Sequence, residues 1–134
     1  METQAPTAQE YEALLAFLPQ LYAPGFEPIL EWKGGAGTFP YPEYDERVKA
    51  FYQMAGRPPW NDYGYSPAEA VRMLKDPEAI RTATLDDIRT MLTYCVRGER
   101  FGDGLWATMI EEGYIRQILE RVAVLGTAEK NVKR

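Results

Sequence analysis

The chain has 134 residues, 46% of them hydrophobic and 26% charged, and a net charge of −5. That balance fits one globular domain with a single core and excludes a wholly disordered chain. It holds no histidine and one cysteine, Cys95, which excludes His-based triads, His-ligated zinc, thiolate clusters and an intramolecular disulfide.

The net negative charge argues against sequence-independent nucleic-acid binding, which needs a basic face. Arg89, Arg97, Arg100, Arg116 and Arg121 nevertheless fall together in the C-terminal third. No apolar run approaches the roughly 18 residues of a membrane span. The opening METQAPTAQE lacks the basic and apolar regions of a secretory signal, so the expected compartment is the cytoplasm. No metal and no cofactor is expected.

Residues 1–7 read as a disordered lead. Thr7 and Glu10 have the spacing of a capping box, and Tyr11, Leu14, Leu15 and Leu18 follow at helical period, predicting a helix over 8–18 that Pro19 ends or kinks. Residues 22–43 carry four prolines and four glycines and read as a long irregular region, with a short extended segment over 26–32. The Gly34-Gly35-Ala36-Gly37 run lacks the ending of a phosphate loop and reads as a turn.

A second helix is expected over 44–55, with Val48, Phe51, Tyr52 and Ala55 on one face and Gly56 as its stop. An aromatic loop over 57–65 follows. Ser66-Pro67-Ala68-Glu69 is a strong helix start, Asp76-Pro77-Glu78 begins a further turn, and Thr84 caps a helix whose stripe is Leu85, Ile88, Met91, Leu92, Cys95 and Val96. Gly98 ends that helix. A short helix from Leu105 to a break at Gly113 precedes a last one that Gly126 stops, and 127–134 reads as a loose basic tail. The expected fold is all-α: a single helical domain over 8–126, a compact bundle of five to six short helices with one long irregular Gly/Pro/aromatic region between the first two. Trp106 is expected at the centre of the last three helices, beside Ile88, Leu92, Met109, Ile118 and Leu119.

Three segments, FPYPEYDERVKAF (39–51), PPWNDY (58–63) and RGERFGDG (97–104) with the helix pair around Gly113, together resemble a family of small bacterial and phage proteins, domain of unknown function 6508. Its pattern is met by Pro40, Tyr41, Tyr44, Val48 and Phe51, then Trp60, then Arg97, Arg100, Phe101 and Gly104. Typical members often carry Cys or His after the Arg-Phe pair, where this chain has Gly102 and Leu105. The resemblance spans about residues 8–125 and implies a fold and a shared surface, with no established activity.

Candidate site residues gather in two places. Arg97, Glu99, Arg100 and Asp103 form a charged corner suited to an anion or a protein partner, since guanidinium forks bind carboxylates in two-pronged fashion. The plainer account has Arg97 paired with Glu99 or Asp103 and closing the helix end. Trp60, Asp62 and Tyr63, with Trp32, Tyr65 and Trp106, would line an aromatic pocket or simply close the core. Asp62 also reads as a turn residue. None of these is singled out as catalytic. The leading expectation is a non-enzymatic protein-interaction module, of which an inhibitor or accessory protein in phage and host systems is one form. The alternatives are a small carboxylate-based enzyme using Glu99, Asp103 or Asp62, and a nucleic-acid-associated regulator with a recognition helix from Tyr114.

Overall fold

The structure is a computed structural model and describes residues 5–132. The first helix, α1 (Ala8–Leu15), begins at the expected capping box. Glu10 N–H donates to Thr7 Oγ1 at 3.1 Å and Thr7 N–H to Glu10 Oε1 at 2.8 Å. The chain pauses at Ala16 and resumes as α2 (Phe17–Leu21). Pro19 lies in the first turn of α2, where its missing N–H costs no helical bond. Residues 1–4 of the expected lead lie outside the described residues, and Pro6, next to them, is buried.

The irregular region contains a small antiparallel ribbon, β1 (Ile29–Lys33) and β2 (Tyr41–Tyr44). Ile29 pairs with Tyr44, Glu31 with Glu43, Trp32 with Pro42 and Lys33 with Tyr41, and a bulge falls between Ile29 and Glu31. This ribbon takes the first residue of the expected second helix, and the second becomes its cap. Tyr44 closes β2, Asp45 accepts Arg47 N–H at 2.8 Å as the cap, and α3 runs Glu46–Ala55. Val48, Phe51, Tyr52 and Ala55 are all buried on its inner face.

Ser66 caps α4 (Pro67–Leu74) and Asp76 caps α5 (Pro77–Arg81), each with proline in the first turn. Thr84 and Asp87 form a second capping box that opens α6 (Leu85–Gly98). A loop over 99–104 leads to α7 (Leu105–Glu111), and α8 (Tyr114–Val132) closes the fold. The described residues thus form eight helices and one two-stranded ribbon, a predominantly helical fold. Ile88, Met91, Leu92 and Cys95 of α6 and Ile115, Ile118, Leu119 and Val122 of α8 make the buried centre. Burial of the Cys95 thiol pushes its pKa up to about 12, which leaves it a core residue without a reactive thiolate.

Gly126 does not stop the last helix. α8 continues to Val132, and of the expected loose tail only residues 133–134 lie outside the described residues. A Cβ on Gly126 would meet Tyr11 Cδ1 at 2.9 Å. The glycine makes room for the ring of α1, and packing outweighs its poor helix propensity of about 1 kcal/mol. Trp106 also departs from expectation, because its ring faces α3. It stacks on Tyr52 with centroids 4.5 Å apart at 9° and lies 5.4 Å from the Tyr44 ring.

Candidate interaction surface

α6 ends where Gly98 leaves space for Leu105, whose side chain fills the position a Cβ would occupy. The chain then turns through residues 99–104 onto α7. Its N-cap is Gly104 at φ +92, a left-handed conformation that favours glycine. Gly104 has no side chain to cap α7, and Glu99 does this work from the previous helix. Its Oε2 accepts Gly104 N–H at 2.9 Å and the Tyr44 hydroxyl at 2.7 Å, while Oε1 accepts Trp106 N–H at 2.9 Å. One carboxylate thereby joins α6, α7 and β2 and sits at the positive end of the α7 backbone. Burial first, then the hydrogen bond to Glu99, raises the Tyr44 phenol well above its usual range.

The indole of Trp106 completes the corner: Nε1–H donates to Val96 O at 3.0 Å, and Trp106 O accepts the Tyr52 hydroxyl at 2.9 Å. On the outside, Trp32 of β1 lies over Gly104, its Cη2 3.2 Å from where a Cβ would sit. On the same 99–104 loop, Phe101 is 85% exposed, and Arg100 and Asp103 are exposed as well. Arg97 places its guanidinium 5.2 Å from the Tyr65 ring centroid. It takes an aromatic partner from the 57–65 loop, while the Glu99 carboxylate is occupied elsewhere.

The structure separates the aromatic group. Trp60 is 1% exposed and meets Tyr11 edge-on at 5.4 Å, so it belongs to the core. Tyr63 stands exposed, and Asp62 Oδ1 accepts Gly64 N–H at 3.0 Å in a tight turn. Asp62 N–H donates to Thr93 Oγ1 at 2.9 Å, which ties this loop to α6. Arg89 Nε adds a bond to Pro59 O at 2.7 Å, across from the cis Pro58–Pro59 peptide. Asp62 and Tyr65 thus reach Thr93 and Arg97 in the C-terminal half of α6, while Arg100 and Asp103 lie exposed on the 99–104 loop. Glu99 lies between the two groups, and Trp60 is withdrawn inside.

Five exposed apolar residues lie outside the candidate sites read from the sequence: Leu30, Phe39, Tyr41, Phe101 and Val124. The signal for three of them lies in residues 29–44, where two aromatic-bearing runs flank a Gly-rich turn in the manner of a hairpin.

The chain matches the profile of a family of unknown function (DUF6508) over residues 6–127 and belongs to that family. No curated protein and no solved structure matches it.

Proposed function

We propose that the protein acts by binding another protein, without chemistry of its own, through the face made by β1, β2 and the 99–104 loop. One observation carries this. Among the described residues seven large apolar side chains stand exposed, and five of them, Leu30, Trp32, Phe39, Tyr41 and Phe101, lie on the ribbon and this loop. Scattered exposed apolar residues are ordinary, but a concentration of aromatics beside an arginine is the composition of an interface centre. Arg100 supplies that arginine. The cytoplasm, with its reducing conditions, is the setting we assign.

The competing functions gain less support. Of the three acids an enzyme would use, Glu99 and Asp62 are engaged in a helix cap and a turn, and Asp103 lies exposed on the 99–104 loop. Of the arginines a nucleic-acid reader would present, Arg121 bonds Ala83 O at 2.8 Å, and Arg116 lies 5.5 Å from the Tyr22 ring centroid.

The test is affinity capture with the full chain from its native cells. Wild type is compared with Trp32→Ala/Phe101→Ala, with Arg100→Lys, and with Val124→Ala on the remote α8 surface. A protein retained by wild type and Val124→Ala but lost with the double variant, whose melting curve stays cooperative, supports the surface. Equal retention by all four overturns it. Arg100→Lys keeps the charge but loses the planar fork, so it should also weaken capture.

A further inference from the structure

β1 uses one edge to pair with β2, and among the described residues no strand lies along the other. Against β1 and the three residues before it lies a groove of about 530 Å³, lined by every residue from 26 to 32 and by Glu111 at the end of α7. Successive residues of an extended chain point to opposite sides. The lining takes in consecutive residues on both sides of the bulge at Leu30, so the groove runs lengthwise along β1 and the segment before it. Its volume falls within the roughly 300–1,000 Å³ of ordinary ligand sites.

The lining is acidic and aromatic. Glu27, Glu31 and Glu111 line the groove, Arg47 over the Phe26 ring is already paired with Asp45, and Trp32 lies with its ring against Gly104. Trp32 remains 53% exposed, so a flat face is left for a cation. The nearby Lys33 lies 3.8 Å from Glu31 and 3.9 Å from Glu43. Such exposed, long pairs are weak and a ligand's cation can replace them.

We propose that this groove receives an extended, basic segment of the protein partner, added to β1 as a third strand. The backbone of that segment pairs with the free edge of β1, its Lys or Arg side chains meet Glu27, Glu31 and Glu111, and one of them lies on Trp32. Main-chain pairing supplies affinity and the alternate side chains supply selectivity. β1 is five residues long, about 16 Å at the rise of a strand, so the recognised segment is correspondingly short. The proposal rests on the interaction reading above and specifies the partner's chemistry.

The probe is a displayed library of random linear peptides, panned on the full wild-type chain and on Glu27→Gln/Glu31→Gln/Glu111→Gln. Wild type should enrich peptides with Lys or Arg at alternate positions. A synthetic copy of one of them should bind about tenfold more weakly to the triple variant and should lose binding when its alternate amides are N-methylated. Amide shifts in the wild-type chain should centre on residues 29–33. Enrichment without basic bias, affinity unchanged by the variant or by N-methylation, shifts centred elsewhere, or no enrichment at all overturns the proposal. Self-association abolished by the triple variant overturns it too, because the occupant is then a second copy. If no basic peptide is selected while capture of a partner still depends on Trp32 and Phe101, strand addition fails and the interaction surface stands. If capture is also insensitive to them, both fail.

Discussion

Glu99 shows how a charged residue in a candidate site can be fully used by the fold. Its three donors come from β2, from the N-cap of α7 and from the second residue of that helix. A hydrogen bond to a charged group contributes about 1.5–3 kcal/mol, and contributions within one network are not additive. Glu99→Ala is therefore expected to lower stability by about 2–4 kcal/mol, measured by urea unfolding. Tyr44→Phe removes one of the three bonds and should cost about 1 kcal/mol. A double-mutant cycle between them should show coupling, and additive losses would mean the carboxylate and phenol act independently. Arg100, exposed and without a bond to Glu99 among those the structure shows, should leave the urea midpoint unchanged when replaced by Lys. The tight spacing of Arg97, Glu99 and Arg100 in the sequence gives no hint of this division. It depends on α7 folding back so that Gly104 and Trp106 present their N–H groups to Glu99.

At the scale of elements, what the sequence reveals is local. Thr7, Ser66, Asp76 and Thr84 each bond a backbone N–H two or three residues ahead, so their helix starts are legible from neighbours alone. The β1–β2 ribbon is not, because its pairing joins residues separated by a Gly-rich turn, and Tyr44 fits the helical period of Val48 and Phe51 equally well. Gly126 misleads for a related reason. Read locally it is a stop signal, yet its role is set by Tyr11, more than a hundred residues away in the chain. Gly126→Ala tests this with opposed effects. Helix propensity alone predicts a gain of about 1 kcal/mol, whereas overpacking against the Tyr11 ring costs about 1–3 kcal/mol. The expected outcome is a lower melting temperature, and a higher one would show that the ring moves aside freely. At the other end of α8, the Tyr22 hydroxyl donates to Ile110 O at 2.8 Å and accepts Arg116 N–H at 2.9 Å. It bridges the break at Gly113 and secures α7 to α8. Tyr22→Phe removes both bonds, while Ile110 O keeps Gly113 N–H at 3.1 Å, so it should cost about 1 kcal/mol, and faster hydrogen exchange at Arg116 would locate the loss.

At the scale of the whole molecule, distant segments are joined by the hydroxyls of Tyr22, Tyr44 and Tyr52, and the Cys95 thiol lies in the core they share. The family match over residues 6–127 takes in nearly all of it, from the α1 cap to the Gly126 contact. These buried groups share one electrostatic property: each must stay protonated in the folded state. Burial raises Cys95 from 9.0 to about 12. It raises Tyr22 from 10.0 to about 12, and it holds Tyr44 and Tyr52 well above the usual phenol value. The sign follows from proton counts. Above pH 9 the unfolded chain loses the Cys95 proton while the folded chain keeps it, so the unfolded state binds fewer protons and stability falls as pH rises. The phenols join progressively around their unfolded value of 10.0, and the contributions of Cys95 and Tyr22 are exhausted near pH 12. Urea midpoints should therefore decline steadily from pH 9 upward. Cys95→Ala should begin less stable, because it opens a small cavity in the core, but its midpoint should decline less between pH 9 and 10, where the thiol is the largest single contributor. A wild-type midpoint that stays level from pH 7 to 11, or a decline unchanged in Cys95→Ala over that first interval, would show that these groups ionise without opposing the fold.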